Sequence, residues 1–206
     1  MQTRTERTGL NQRAVAGAVA AALLLFAAPP QAALQNRDLD GDSVVDAFYD
    51  TDLDITWLRN ADVNGLMTWD AAVAWAEGYS LGAYSDWRLP RTSSACDGYE
   101  CTGSEMGHLW YVELGNPADG PMWNFGDFQN WVTWVYWSGT EYAPSPTSAW
   151  VFHTGIGFQR PIVKDSEVFA MAVRSGDVPA VPEPQTHALL LLGLAALALA
   201  RRRSAR

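Results

Sequence analysis

The stretch Thr68-Trp69-Asp70-Ala71-Ala72-Val73-Ala74-Trp75-Ala76-Glu77-Gly78, followed shortly by Asp86-Trp87-Arg88-Leu89-Pro90, decides how this chain is read. Trp69, Ala72, Val73 and Ala76 stand at i, i+3, i+4 and i+7, a spacing that gathers apolar side chains on one helical face. Thr68 is suited to cap the helix, its hydroxyl accepting a hydrogen bond from an orphan N–H of the first turn. Asp70 sets negative charge at the positive end of the helix dipole. Gly78 can adopt the left-handed conformation that ends such a helix. Trp87 and Leu89 then alternate with Arg88, and Pro90 cannot continue a central ladder. One amphipathic helix, a turn and a short strand are predicted. They make a scaffold, and no catalytic set stands out in them.

Working outward, Ala47-Phe48-Tyr49-Asp50 and Leu53-Asp54-Ile55-Thr56-Trp57-Leu58 read as a hairpin turning near Thr51-Asp52, with Phe48, Ile55 and Trp57 in the core. Glu105 to Leu114 reads as a short second helix ending at Gly115-Asn116. Asn116 to Asn130, rich in Gly, Pro, Trp and Phe, reads as a long surface loop. Val132 to Ser138 and Ser148 to Thr154 alternate as strands. Gly155-Ile156-Gly157 is a tight turn into Phe158-Gln159-Arg160, and Val168 to Arg174 is a last strand with Phe169, Met171 and Val173 on one face. The expected class is α+β: one main helix and a short second helix packed on antiparallel strands, with long loops.

Both ends differ from the middle. Arg4, Arg7 and Arg13 precede an apolar run from Ala14 to Ala28, with small residues at Ala32 and Ala33. Residues 1–32 read as a secretory signal peptide, a retained anchor being the competing reading, for which the apolar core is short. At the other end, residues 179–206 contain Val181-Pro182-Glu183-Pro184, an apolar run from Ala188 to Ala200 and a basic close at Arg201, Arg202, Arg203 and Arg206. The run spans only ~20 Å as a helix against a ~30 Å hydrocarbon core. The order of motif, apolar run and basic cluster resembles the PEP-CTERM sorting signal of Gram-negative bacteria, with Pro182, Glu183 and Pro184 as the motif; a plain tail anchor is the alternative. The resemblance implies an exosortase as processing partner, cleavage near Pro182 to Pro184, transient anchoring in the inner membrane through the tail, and delivery to the cell surface or extracellular matrix.

Removing both ends sharpens the charge. The whole chain carries −9, but between Ala33 and Pro182 there are 7 Lys/Arg and 21 Asp/Glu, a net of −14. Such a surface repels polyanions, which excludes nucleic acid as a partner and favours divalent cations and neutral ligands. Within residues 33–48, an acidic leader, Asp38, Asp40, Asp42 and Asp46 occupy positions 1, 3, 5 and 9 of a calcium-loop pattern. Ser43 stands where that pattern has glycine and Tyr49 where it has a bidentate glutamate, with Asp50 one place late. Calcium is therefore a candidate cofactor, and a solvated acidic segment is the equal alternative. Cys96 and Cys101, the two cysteines of an exported chain, read most simply as a disulfide pinning a loop. A metal site there would need His108 as a further ligand.

Tyr49-Asp50-Thr51 with Ile55-Thr56-Trp57-Leu58, Met67-Thr68-Trp69 with Ala72 and Ala76, Asp86-Trp87-Arg88-Leu89-Pro90, Tyr136-Trp137-Ser138-Gly139-Thr140-Glu141-Tyr142 and Ala172-Val173-Arg174-Ser175-Gly176 form an ordered set. Together they resemble the Lcl C-terminal domain family, over a domain spanning 49–178. The resemblance implies a C-type-lectin-like α+β fold, distantly similar to formylglycine-generating enzymes through the Arg-Leu-Pro segment, in a mostly extracellular family whose namesake adheres to sulfated polysaccharides. This acidic domain departs from that ligand class, with only Arg59, Arg91, Arg160 and Lys164 as candidates for a basic cluster.

The expected function is a non-catalytic surface module that binds polysaccharide. Ten tryptophans offer flat apolar faces on which sugar rings stack. Trp110, Trp123, Trp131 and Trp134 lie in or beside the irregular middle, with Trp123, Trp131 and Trp134 the candidate ligand platforms, and Asp127, Asn130 and Glu141, with His153, supply polar groups to orient a ligand. The Glu-Pro-Asn or Gln-Pro-Asp motif of calcium-dependent lectins is missing, although Trp123-Asn124 is present. Glu105, Glu113, Asp127 and Glu141 are carboxylates of the type a glycosidase pairs, and His108 and His153 are of the type that serves as a base, but no nucleophile–base pairing shows. The competing function is a structural envelope or biofilm protein acting through protein contacts; an enzyme related to the formylglycine-generating group is a distant third.

Overall fold

The computed structural model describes residues 34–178. The signal segment, the sorting motif and both terminal apolar runs lie outside them. Among the described residues no helix is long and apolar enough to cross a membrane. In the described residues seven strands form two antiparallel sheets, and the class is α+β. The first sheet runs β1 (Leu34–Arg37), β2 (Ala47–Asp50), β3 (Ile55–Leu58) and β7 (Val173–Ser175), in that spatial order. The second contains β4 (Val135–Glu141), β5 (Ser148–His153) and β6 (Phe158–Val163).

The predicted hairpin is β2–β3, in register from Ala47↔Leu58 to Asp50↔Ile55. Asp54 takes φ +52 in its turn, and Asp50 closes the turn by accepting from the N–H groups of Asp52 and Leu53. Phe48, Ile55 and Trp57 are buried as expected. The acidic leader is not an appendage. β1 pairs with β2 along its whole length, and Leu39 is buried against Ala47, Leu58, Trp87 and Val178.

Helix α1 (Trp69–Gly78) buries Ala72 and Ala76 against Val135, Trp137, Ala149 and Val151 of β4 and β5. Two details differ from the sequence reading. Thr68 stands at the cap position, but its hydroxyl makes no capping bond; the helix entry is held instead by Trp69 N–H donating to the Lys164 carbonyl at 3.0 Å. The helix ends without a left-handed glycine: Tyr79 follows in extended conformation and donates to the Ala76 carbonyl. The second helix also divides. α2 (Glu105–His108) is capped by the Ser104 hydroxyl, and a π-helical turn, Leu109–Glu113, continues from it. The Leu114 N–H reaches back to the Leu109 carbonyl at 3.0 Å, the i→i+5 bond that defines such a turn.

The segment expected as a final strand with one apolar face is buried on both. Ala170, Met171, Ala172 and Val173 are all inside, and only Val173–Ser175 belongs to a strand. Upstream of it, Val168 bridges Met67 and Phe169 bridges Tyr136 of β4. Trp87-Arg88-Leu89 lies on the other side of β7, with Arg88 and Val173 exchanging both backbone bonds at 2.8 Å. Cys96 and Cys101 form a disulfide. The loop it closes is docked on β6 by reciprocal 2.8 Å bonds between Gly98 and Gln159, and by the buried Gln159 amide donating to the Cys96 carbonyl at 2.6 Å.

One ion pair fastens α2 to this framework. Arg88 Nη1 and Nη2 reach Glu105 Oε2 and Oε1, each at 2.7 Å, and Glu105 also accepts from the Arg91 N–H at 2.7 Å. Both side chains are largely shielded, with 19% and 15% exposure, so removing one partner leaves a shielded charge unpaired. Glu105→Ala is expected to cost about 3 kcal/mol of stability, and Glu105→Gln clearly less, as read from urea denaturation midpoints.

Near the two ends of the domain, Arg37 pairs with Asp177 at 2.6 Å and Arg174 with Asp86 at 2.8 Å. Hydrogen bonds from these arginines hold both carboxyl groups below the usual carboxylate range. A depressed folded-state pKa contributes stability above about pH 4, and that contribution is lost as pH falls through the folded value. The urea midpoint should therefore fall between pH 5 and pH 2.5, and Asp177→Asn should narrow that difference.

Candidate functional site

Among the described residues, polar or aromatic side chains converge at several places, three of which bear on function. The first is the aspartate loop between β1 and β2. Asp38 accepts from the N–H groups of Gly41 at 2.7 Å and Ser43 at 2.8 Å, Asp40 from Asp42, and Asp42 from Val44. These bonds from Gly41 and Ser43 outweigh the cost of burial and hold the Asp38 carboxyl below its usual range. Ser43, at the place of the pattern's glycine, adopts φ +70 and so keeps the backbone course that glycine would give. Carboxylate oxygens of Asp38, Asp40 and Asp42 come within 4.8 Å of one another. Asp46 is not part of that group; it accepts from the Leu39 N–H at 2.9 Å, and burial, with the field of its acidic neighbours, raises its pKa. Tyr49, at the last position of the pattern, donates to Asp54. Asp50 faces elsewhere.

The second place is an aromatic cleft of about 300 Å³ at the β5–β6 hairpin, lined by Tyr99, His153, Ile156, Phe158 and Arg160 over a floor of Val135 and Val151. Tyr99 and Phe158 meet edge to face at 4.8 Å. His153 accepts from the Gly155 N–H through Nδ1, burial lowers its pKa, and its ring lies 5.5 Å from that of Trp134. Trp134, which immediately precedes β4, is 53% exposed.

The remaining candidates from the sequence disperse. Trp123, 72% exposed, and Phe125 stand out on the Asn116–Asn130 loop. That loop is pinned by buried Asn116, whose side chain donates to the Asn124 carbonyl and accepts from the N–H groups of Trp123 and Asn124. Nothing in the residue types singled Asn116 out. Trp131 is no free platform: it packs between Phe128 and Tyr136, against the core. Asp127 is exposed, and its carbonyl accepts from Arg59. Asn130 is exposed at φ +54 and donates to Asn60. Glu141 ends β4, roughly 20 Å along the strand from Trp134, and pairs with Lys164, whose ammonium sits over the Trp69 ring. Arg59 and Lys164 are thus engaged elsewhere and do not join Arg160 in the cleft. Glu105 is held by Arg88. The cysteines, bonded to each other, leave His108 to other partners.

Those partners make the third place, which sequence reasoning missed. The π-helical turn brings His108 and Glu113 to one side and aims both at Asp50. His108 Nε2 lies 3.4 Å from Glu113 Oε1, 3.9 Å from Asp50 Oδ1 and 4.0 Å from Asp52 Oδ2. The Asp50 and Glu113 side chains are 0% and 1% exposed. Burial, and then the nearby Asp50 charge, raise the pKa of Glu113.

Comparison with known proteins bears on the family. A search of curated proteins finds no match. The model of the Lcl C-terminal domain matches residues 46–174, from the end of the aspartate loop into β7, and that of the PEP-CTERM protein-sorting motif matches residues 180–204. The chain belongs to the Lcl C-terminal domain family and ends in a PEP-CTERM sorting motif, so it is an exported protein processed through the exosortase route.

Proposed function

We propose that the domain is a non-catalytic binding module of the cell surface or extracellular matrix that recognises neutral polysaccharide. The observation that carries this reading is the aromatic cleft beside exposed Trp134. Tyr99, Phe158 and Trp134 offer apolar ring faces for the C–H faces of sugars, while Arg160 and His153 offer directional donors at the same opening. The cleft is built on a hairpin and a disulfide-closed loop, so little ordering entropy opposes binding. A domain charge of −14 favours a neutral glycan over a sulfated one. The non-catalytic part of the reading is supported by where the carboxylates are engaged: Glu105 pairs with Arg88 and Glu141 with Lys164, and neither lines the cleft. A C-type-lectin-like relationship belongs to the same proposal. So does calcium, which the Asp38–Asp40–Asp42 group would hold to stiffen the β1–β2 loop.

The test is calorimetric titration of the full chain, in mild detergent, with the host's own exopolysaccharide, first with calcium and then with chelator. Saturable binding is expected in both conditions, because the cleft lies on β5–β6 and the aspartate loop joins β1 to β2. Trp134→Ala should weaken it at least about tenfold, while Trp131→Ala should lower stability instead. Loss of binding on chelation would move the site to the aspartate loop. Absence of heat with this glycan and with a sulfated one would overturn the glycan reading and favour a structural protein that uses Trp123 and Phe125 as protein contacts.

A further inference from the structure

The cluster of His108, Glu113 and Asp50 is used by none of the functions above. Its two nearest atoms, His108 Nε2 and Glu113 Oε1, are both buried and both without a hydrogen-bond partner. They face each other at 3.4 Å, which is too long for a normal N–H···O bond. Leaving a buried imidazole nitrogen and a carboxylate oxygen without partners is unfavourable, because each has lost its water. The spacing does suit another arrangement. Two ligands at 2.0–2.2 Å from a tetrahedral zinc ion stand about 3.4 Å apart. Asp50 Oδ1 lies 3.9 Å from the imidazole nitrogen, and one ligand atom from each of the three residues falls within a 4.8 Å group.

The backbone gives a second reason. In a regular α-helix, residues five apart diverge by about 140° around the axis, so His108 and Glu113 would face different directions. The π-helical turn from Leu109 to Glu113 inserts the extra residue that brings them to one side. Its hydrogen-bond pattern is less favourable than that of an α-helix, and such turns are retained most often where they orient functional side chains. Asp50 arrives from a different element, β2, where the Asp52 and Leu53 N–H groups and the Trp57 indole fix its rotamer. Asp52, 47% exposed, stands 4.0 Å from the imidazole on the solvent side.

We propose that His108, Glu113 and Asp50 form a binding site for one divalent transition-metal ion of the zinc class, with Asp52 or a water completing its coordination. One imidazole and two carboxylates are a borderline ligand set that suits zinc. Calcium, which takes six to eight oxygens, has no use for the imidazole. The ion joins the second helical element to the β2–β3 turn, two parts far apart in sequence, and it satisfies the two atoms that the protein leaves bare. This site is separate from the aspartate loop and from the aromatic cleft.

The test uses the full chain in mild detergent, stripped with chelator and titrated with cobalt(II). Visible bands of four- or five-coordinate cobalt should grow to saturation at one equivalent and be bleached by one equivalent of zinc. His108→Gln and Glu113→Gln should each weaken zinc binding at least about a hundredfold. A chain carrying Asp38→Asn, Asp40→Asn and Asp42→Asn should keep the bands unchanged. Zinc should also raise the unfolding temperature of the unmodified chain. No visible bands on the unmodified chain would overturn the proposal, whatever the fate of the variants. So would bands that survive His108→Gln, or bands that vanish only in the triple aspartate variant.

Discussion

Everything in this domain has to accommodate a short piece of backbone that no water reaches. Ala170, Met171, Ala172 and Val173 are all buried, and a buried peptide group must find a partner inside the protein. Along residues 168–173 such partners come from four places. Val168 exchanges bonds with Met67, and Phe169 bonds Val135 and Trp137 of β4; Ala172 accepts from Leu58, and Val173 exchanges bonds with Arg88. The segment is therefore the seam between the two sheets. Its side chains are small or unbranched at Ala170, Met171 and Ala172, which lets the neighbouring strands approach from both sides. Helix α1, the Arg-Leu-Pro segment and β3 all take their positions from it.

The acidic composition acquires a structural meaning in this light. Several aspartates are occupied in closing turns. Asp38, Asp40 and Asp42 each accept a backbone N–H within the first loop, Asp50 does so in the β2–β3 turn, and Asp62 does so for Gly65. Short polar side chains of this kind hold irregular backbone in place where regular ladders are absent. The high negative charge is to that extent a by-product of a loop-rich fold. The cost is mutual repulsion where carboxylates converge, and among the described residues the Asp38–Asp42 and Asp50–Glu113 groups carry that cost in a concentrated form.

Much of the scaffold was legible in the residues. The period of Trp69, Ala72, Val73 and Ala76 marks the main helix, and alternation marks β5 and the β2–β3 hairpin. The failures have particular causes. Thr68 and Gly78 carry the right chemistry for helix ends, but tertiary contacts supplied the terminal bonds instead. The alternation of Phe169, Met171 and Val173 predicts one apolar face for the last strand, whereas the intervening residues are alanines, apolar but too small to weigh in a pattern. Of the candidate ligand residues, Trp134 and Trp123 are exposed, while Trp131 is drawn inward by Phe128 and Tyr136. The His108–Glu113 pair was invisible because periodicity arguments test three- and four-residue spacings. A π-helical turn makes neighbours of residues five apart, and its presence depends on packing that no local pattern encodes.

The pairing of Arg37 with Asp177, together with the buried side chain of Val178, has a mechanical side. The described chain enters through β1 and leaves just beyond β7, and these contacts tie the exit to the end of β1. A pull applied beyond Val178 must first extract a buried valine and break a two-bonded ion pair. Only then does it load the three-residue register between β7 and β3, and behind it the seam that joins the sheets. Tension on a tethered copy would thus meet its resistance at the point of attachment, ahead of the aromatic cleft on β5–β6.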